Sequence, residues 1–261
     1  MRLLSIIRLS FFIPVASALF SCNEKEEFTT EALKDYMPLV TGKYITYRLD
    51  SMVFTNFGRT TEIHKYQVKD VIDTLITDNL GRPSYRVYRF IRDSVDATSW
   101  TAAQPWINSG TYFITPLSDQ VELIEDNLRF IKIHLPIKEG FNWKGNKYLP
   151  ADPYGSVYNF SNDDNMADWD FIYDGNASSF SYRGNNYTEV RTIEEADESF
   201  NVPITVPTAY AARSRSVEKY SKTIGLVYRE YELWEYQPNT GGQGGPYKTG
   251  FGITQWMIDH N

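Results

Sequence analysis

The three histidines carry the most versatile chemistry in this chain, because an imidazole can transfer protons or bind a metal near neutral pH. They are His64, His134 and His260, which are far apart in sequence. The sequence contains neither His-Glu-x-x-His nor Gly-x-Ser-x-Gly, the patterns typical of zinc peptidases and serine hydrolases. We therefore predict no catalytic residue, while a site assembled from distant residues stays open.

A short acidic stretch offers oxygen ligands. Calcium binds carboxylate and carbonyl oxygens, but the glycine and the distal glutamate of an EF-hand are missing from this stretch. Charged runs of this kind are most often solvated turns. We predict no metal site from the sequence and retain four residues as candidate calcium ligands: Asp163, Asp164, Asp168 and Asp170.

Two other segments suggest chemistry at first sight. Glu194 and Glu195 form an acidic run with Asp197 and Glu198, but an acid and base pair needs a defined separation in a cleft, which a run cannot show. Residues 239–250 are rich in glycine and contain a Lys-Thr pair, yet Tyr247 stands where a phosphate-binding loop requires glycine. We predict a loop between two strands, and no cofactor.

Tryptophans outside the predicted strands are candidate ligand-binding residues. Aromatic rings with a polar tip suit sugar and protein surfaces. Trp100 and Trp106 flank Pro105, and Trp169 follows the acidic stretch. The alternative is that these rings cap the ends of a β-sheet core.

Composition and cysteine content restrict the class of protein. The chain has 261 residues, 42% of them hydrophobic, and a net charge of -7. This composition excludes a disordered chain, and the acidic balance argues against nucleic acid as a partner. The one cysteine, Cys22, cannot form an internal disulfide.

Residues 1–21 have the features of a secretory signal. Arg2 and Arg8 precede or flank an apolar run that is too short to span a membrane. The run ends in Leu19-Phe20-Ser21-Cys22, which resembles a bacterial lipobox. The resemblance implies that Cys22 carries diacylglycerol and an amino-terminal acyl chain such as palmitate, which anchor the mature protein to a membrane. The alternative is ordinary cleavage nearby and an incidental thiol.

Alternation of apolar and polar residues predicts a mainly β fold. Ile45, Tyr47 and Leu49 share one face of a strand, and further strands follow at intervals broken by turn residues. The segment from Tyr66 to Ile76 fits a strand or a helix. We favour a strand in a long hairpin, because a turn cluster at Asp78–Pro83 and an aromatic and β-branched run at Tyr85–Ile91 follow it. We predict a turn at Asp174-Gly175, and one helix at residues 209–221.

The fold class expected is a single antiparallel, strongly curved sheet that forms a partial barrel or sandwich, with one or two short helices. We divide the chain into a signal peptide at residues 1–21, an acylated tether with a short helix at 22–35, and one β-rich domain at 36–261. Loss of the signal removes two arginines and moves the net charge from -7 to -9.

Both ends of the β-rich domain resemble lipoproteins of the Bacteroidota outer membrane. The resembling segments are residues 36–44, which read Tyr-Met-Pro-Leu-Val-Thr-Gly-Lys-Tyr, residues 225–230 and the last residues of the chain. The acidic run after Cys22 resembles the surface-export signal of that phylum, although a solvated linker explains it equally well. The resemblance implies a lipid-anchored protein on the cell surface or the periplasmic face, and implies no activity.

Three functions are compatible with these features. The first is a non-enzymatic binding or assembly accessory at the outer membrane, whose partner is an envelope protein, a glycan or a lipid. The second is a half-barrel carrier or binder of a hydrophobic ligand. The third is an extracellular hydrolase whose site the sequence does not reveal. A filled barrel interior would count against the carrier.

Overall fold

Strands make up most of the described chain. The computed structural model describes residues 31–94, 104–163, 165–239, 241 and 244–261. These belong to one compact unit that extends from Glu31 to Asn261. Cys22 and the segment before it lie outside the described residues, so lipidation at Cys22 stays a prediction.

The elements follow the chain as a meander. A short helix, α1 (Leu33–Tyr36), precedes all the strands, and a single turn of 3-10 helix (Met166–Asp168) precedes β8. The strands are β1 (Tyr44–Thr55), β2 (Thr60–Thr77), β3 (Pro83–Asp93), β4 (Ile107–Pro116), β5 (Gln120–Glu125), β6 (Leu128–His134), β7 (Asn142–Trp143), β8 (Phe171–Tyr182), β9 (Asn185–Phe200), β10 (Ala211–Ser221), β11 (Gly225–Gln237) and β12 (Tyr247–His260).

The sheet is a nearly closed up-and-down barrel. Its order is β6-β5-β4-β3-β2-β1-β12-β11-β10-β9-β8-β7, and the paired strands are antiparallel. Strands consecutive in sequence are therefore neighbours, except for β6 and β7 at the two edges, and the first strand pairs with the last. The prediction of one strongly curved antiparallel sheet with little helix is confirmed.

A seam remains between the two edge strands, β6 and β7. The amide of Ile131 in β6 donates to the carbonyl of Gly145, just after β7, at 2.7 Å. The indole Nε1 of Trp143 donates to the carbonyl of Ile131 at 2.9 Å. These bonds satisfy edge groups that would otherwise offer a pairing surface to another chain.

The predicted hairpin at Asp78 is confirmed. The Asp78 carboxylate accepts hydrogen bonds from the amides of Leu80 and Arg82, both at 2.9 Å. This turn joins β2 to β3, so the ambiguous segment from Tyr66 to Ile76 is a strand.

The predicted helix at residues 209–221 is wrong, because these residues form β10. Ser214, Ser216, Glu218 and Tyr220 alternate along the strand, and all four are buried. Alanine, arginine, glutamate and lysine favour helices in isolation, but pairing with β9 and β11 overrides that preference.

The predicted turn at Asp174-Gly175 is also wrong. Asp174 pairs with Thr192, and Ser178 pairs with Val190, so β8 continues through this segment with an irregular register. Gly175 has φ +69°, which suits a bulge as well as a turn. A glycine in this sequence context is compatible with a turn or with a bulge inside a strand, so it did not show which of the two forms here.

The N-terminal plug, residues 31–42, closes one end of the barrel. Tyr36 is 1% exposed and packs among core residues of β2, β3 and β10. The amide of Thr223 donates to the carbonyl of Asp35 at 2.6 Å, and the amide of Gly42 donates to that of Ile72 at 2.8 Å. Arg191 forms an ion pair with Glu31 at 2.8 Å.

Candidate functional site

A buried ion cluster crosses the barrel interior. Lys132 Nζ lies 2.8 Å from Glu195 Oε1 and 2.9 Å from Glu218 Oε1. These residues belong to β6, β9 and β10, so the cluster joins one edge strand to strands near the other edge. All three side chains are at most 5% exposed.

β-Bulges explain how charged residues reach this position. Ile131 pairs with Glu122 and Ile133 with Val121, which leaves Lys132 as the extra residue between them. Glu195 is likewise extra between Glu194 and Ala196, which pair with Val217 and Ser216. An extra residue re-aims its side chain relative to the alternating pattern.

The cluster sets the protonation of its members. Burial disfavours the charged ammonium of Lys132, but Glu195 and Glu218 outweigh burial and raise its pKa. Burial raises the pKa of Glu195, whereas Lys132 and Arg229 overcome burial at Glu218 and lower its pKa. Two carboxylates whose pKa values move apart are a common sign of acid and base chemistry.

The contacts of the two carboxylates favour a structural role. Glu195 Oε2 accepts the Ser216 hydroxyl at 2.5 Å, and Glu218 Oε2 accepts the Tyr220 hydroxyl at 2.6 Å. Glu195 and Lys132 do not line the interior cavity described below. A substrate in that cavity would therefore meet Glu218 and not the complete cluster.

Arg229 in β11 extends the cluster toward open space. Its Nε lies 3.3 Å from Glu218 Oε1, as an ion pair without hydrogen-bond geometry. Burial opposes its charge, but Glu218, Glu195 and Glu125 raise its pKa, so it stays a cation. Among the described residues no hydrogen bond satisfies its terminal amino groups. A buried guanidinium in this state calls for acceptors from solvent or a ligand.

A second charged group faces the same space. Arg89 Nε donates to Asp70 Oδ1 at 2.9 Å, and Nη1 contacts Glu125. The Tyr112 hydroxyl donates to Asp70 Oδ2 at 3.1 Å. The Nε, Nη1 and Nη2 atoms of Arg89 all bond to carboxylates, whereas no acceptor among the described residues bonds to the terminal amino groups of Arg229.

An interior cavity of about 90 Å³ lies beside these groups. Arg229, Arg89 and Glu125 belong to its polar side. Its apolar lining comes from the plug and from several strands and turns: Met37, Pro38, Leu39, Ile45, Ile72, Val87, Ile114, Leu123, Ile224 and Leu226. The cavity is therefore amphipathic. A single water needs about 10–15 Å³ of such space, so several waters or one short-chain molecule fit.

The structure places the candidate calcium ligands unevenly. Asp163 is 1% exposed, and its Oδ2 accepts the amide of Tyr154 at 3.2 Å. Asp170 pairs with Lys144 at 2.9 Å, and the same ammonium donates to the backbone carbonyl of Asp168. Asp164 lies outside the described residues. Within the described chain no group of three or more His, Cys, Asp or Glu side chains could hold a metal.

The candidate tryptophans also separate. Trp106 is half-buried on the outside of the barrel, with the Arg92 guanidinium 4.1 Å from its ring centroid. Trp169 packs against two core clusters, as the capping alternative predicts. Trp100 lies outside the described residues.

The remaining sequence candidates do not come together. Glu194 pairs with Arg215, whereas Glu195 pairs with Lys132 in the interior, so the two neighbours serve different faces. His134 Nδ1 lies 2.6 Å from its neighbour's carbonyl, at Leu135. The glycine-rich segment joins β11 to β12, but its last four residues, 247–250, already belong to β12 and not to the predicted loop. A strand at this position does not suit a phosphate-binding loop. No helix in the described part of the chain is long and apolar enough to cross a membrane.

The sequence analysis missed Lys132 of the ion cluster and Arg229 of the cavity wall. Lys132 lies between Ile131 and Ile133, and a single charge between apolar residues of a strand is a detectable signal. Arg229 stands in an alternation of tyrosines and charged residues that reads as an exposed face. The charged groups around Arg229 depend on a bulge in β9, two strands away, and the sequence near Arg229 does not indicate that bulge.

The fold and cavity thus define an up-and-down β-barrel with a small amphipathic interior site. No protein-family model matches the chain, and no curated protein sequence matches it. Among solved structures, it is similar to a Bacteroides fragilis protein described as exported with a YmcC-like fold, at TM-score 0.33 and 9% identity over 84% of this chain and 97% of that one.

A Vibrio parahaemolyticus domain described as outer membrane lipoprotein-sorting aligns at TM-score 0.18 and 9% identity, over 85% of each chain. TM-scores this low do not establish a shared fold, so the function must follow from the site itself.

Proposed function

We propose that the chain is a lipid-anchored, non-enzymatic binding protein of the cell envelope, whose barrel interior takes up a short amphipathic carboxylate. Arg229 carries this proposal. Its side chain is 17% exposed at the cavity wall, and no acceptor among the described residues bonds to its terminal amino groups. A carboxylate matches a guanidinium in geometry and charge.

The formal charges that line the cavity balance, and its carboxylates already have partners. Its lining contains three cations, Lys43, Arg89 and Arg229, and three anions, Asp70, Glu125 and Glu218. The Asp70 carboxylate is held by Arg89 and Tyr112, and that of Glu218 by Lys132 and Tyr220. A ligand carboxylate would therefore find Arg229 as its principal partner.

The size of the cavity limits the ligand. An engineered cavity of about 150 Å³ admits benzene, and this one measures about 90 Å³. A complete long acyl chain does not fit beside the plug and the ion clusters. If the protein is a carrier of a hydrophobic ligand, that ligand is short, and its carbon chain contacts Leu39, Ile72 and Leu226.

The predicted anchor supports an envelope role for this end of the barrel. Eight residues lie between Cys22 and Glu31, the start of the plug, so nine residue-to-residue steps join the two. Such a segment reaches at most about 32 Å. An acylated Cys22 would therefore keep the plug, and the cavity beneath it, near the membrane surface.

Calorimetric titration with butyrate, whose three-carbon tail is smaller than benzene, tests the site, with butanol as the neutral control. We expect butyrate to bind with a dissociation constant of about 0.1–1 mM, in line with the efficiency of small ligands. Arg229→Met should weaken butyrate binding at least about tenfold. Arg86→Met is the matched control, because Arg86 pairs with Asp73 outside the cavity.

A cavity-filling variant gives a second test that keeps the charges. Leu39→Phe fills the apolar side, and Leu80→Phe adds the same volume at a turn where the side chain is 69% exposed. Of these two variants, only Leu39→Phe should block butyrate. Equal binding by wild type, Arg229→Met and Leu39→Phe would remove the site from consideration, as would absence of binding to wild type.

The anchor has a separate test in cells. Cys22→Ala should abolish palmitate labelling and release the domain from membranes. Retained labelling would exclude Cys22 as the acylated residue. Protease treatment of intact cells then separates the cell surface from the periplasmic face.

A further inference from the structure

A polar groove of about 630 Å³ lies on the outer face of the barrel. Its floor includes Thr46 of β1, Lys69 of β2 and Arg92 of β3, and Arg183 and Asn185 line it from the β8–β9 hairpin. Trp106 lines it just before β4. Ligand pockets usually measure about 300–1,000 Å³, so the groove has the volume for an oligomeric ligand.

Strand register builds the groove floor. Asp259, Thr46 and Lys69 are successive cross-strand partners on β12, β1 and β2. Gln67 and Arg92 form an adjacent cross-strand pair on β2 and β3. Directly opposed residues of antiparallel strands share a face, so the barrel fixes these side chains in one surface.

The groove is basic in an acidic protein. Lys69, Arg92 and Arg183 line it against a single acidic residue, Asp259, whose carboxylate accepts the Tyr44 hydroxyl at 3.1 Å. The whole chain carries a net charge of -7. A local excess of cations on such a surface attracts anions against the general field of the protein.

Arg92 is held in an unusual way. Its Nε and Nη2 donate to Oε1 of the buried Gln67, at 2.9 and 2.6 Å. Most arginines of the described chain pair with carboxylates, but Arg92 has an amide partner and, among the described residues, no acceptor for Nη1. Lys69 has a contact with the Tyr44 ring at 3.9 Å and no ion pair within the same residues. Both cations keep charge available for a ligand.

We propose that this outer groove binds an acidic oligosaccharide. Lys69 and Arg92 would bind sugar carboxylates, the Thr46 hydroxyl and the Asn185 amide would bind sugar hydroxyls, and the half-buried Trp106 would contact a ring face. The inference is independent of the proposed function, since the groove and the interior cavity share no lining residue.

Titration with three probes of equal length tests the inference: tetragalacturonate, neutral maltotetraose and tetraglutamate. We expect tetragalacturonate to bind best, and to bind less tightly as salt rises. If neutral maltotetraose bound as tightly as tetragalacturonate, the charge of the ligand would play no part in binding. Equal binding of tetraglutamate would reduce the groove to a basic patch without sugar recognition. Either result overturns the proposal, as does absence of tetragalacturonate binding.

Matched variants locate the binding. Lys69→Gln, Arg92→Gln and Trp106→Ala should each weaken tetragalacturonate by about five- to tenfold. Lys138→Gln removes the same charge from an exposed lysine outside the groove and should change affinity less than twofold. A loss as large in Lys138→Gln would show that only net charge matters. Thermal unfolding of each variant distinguishes a folding defect from loss of the groove.

Discussion

Lys132 and Glu195 are each the extra residue of a β-bulge, and their side chains meet in the barrel interior with 2.8 Å between Nζ and Oε1. The two bulges lie on opposite sides of the seam, in β6 and β9. The ion pair therefore ties the edge strand β6 to β9, which lies near the other edge, where backbone pairing is incomplete.

Removal of the lysine should be costly. Lys132→Met leaves Glu195 and Glu218 buried with less compensation, and breaking a buried ion pair costs about 3–5 kcal/mol. Urea unfolding at pH 7.5 measures the loss. At pH 4.5 the cost should shrink, because carboxylates that have lost their cation become protonated and need no partner.

Lys138→Met is the control for this variant, because Lys138 is exposed in the loop after β6. Its effect should stay within about 0.5 kcal/mol at both pH values. If Lys132→Met costs no more than this control, the cluster is not a determinant of barrel closure.

The seam itself gives the second prediction. Trp143→Phe removes the indole donor from the buried carbonyl of Ile131, at a cost of about 1–3 kcal/mol. In the Trp143→Phe variant we expect faster backbone amide hydrogen exchange in β6 and β7 than in β1 and β12, which pair with a strand on each side. Trp256→Phe serves as the control in a fully paired strand. Uniform exchange across the barrel would contradict a weak seam.

Close approach of β11 and β12 gives the third prediction. Gly250 has φ +113°, and a Cβ there would lie 2.2 Å from the carbonyl oxygen of Leu233 and 2.7 Å from Cα of Trp234. Backbone atoms cannot move aside cheaply, so Gly250→Ala should cost about 3 kcal/mol or more.

Gly81→Ala separates crowding from conformation. Gly81 also has a positive φ, +76°, but open space surrounds its Cβ position. This variant should cost only about 1 kcal/mol. Similar losses for both glycines, measured by urea unfolding, would show that strain in φ explains Gly250 as well.

Local signals predicted much of the barrel and little of its interior. The Asp78 turn and the β-branched run after it specified one hairpin, because turn chemistry and alternation act over a few residues. Alternation also predicted β1 correctly. Strand β10 was misread because its residues favour helices in isolation, and only pairing with β9 and β11 determines its state.

The candidate site residues also differ in whether a local sequence signal indicates them. Trp106 was selected as a candidate from its position beside a proline, in a segment without strand pattern. Arg229 was not found, since its burial depends on Glu218 and on strands distant in sequence. The position of a bulge depends on the register between two strands. The sequence of either strand alone therefore does not show that Lys132 contacts Glu195.

Asp163 gives the fourth prediction, which concerns pH. Burial, and the nearby Asp152, raise the pKa of Asp163 to about 6. A carboxyl with a raised pKa in the folded state stabilises the fold when protonated, and this contribution is lost as pH rises from its unfolded value of 3.8 through about 6. Asp163→Asn removes the free-energy cost of ionising this buried carboxyl at neutral pH, and it keeps a side-chain oxygen that accepts the Tyr154 amide.

Asp163→Asn should therefore be more stable than wild type at pH 7.5, by about 1 kcal/mol after allowance for solvent screening, and should lose this advantage at pH 4.0. Asp119→Asn, at an exposed turn, should show no such difference. Urea unfolding with and without calcium completes the test. If calcium stabilises wild type, and Asp163→Asn is less stable at pH 7.5 and no longer responds to calcium, the carboxylate is a calcium ligand and not an uncompensated buried charge.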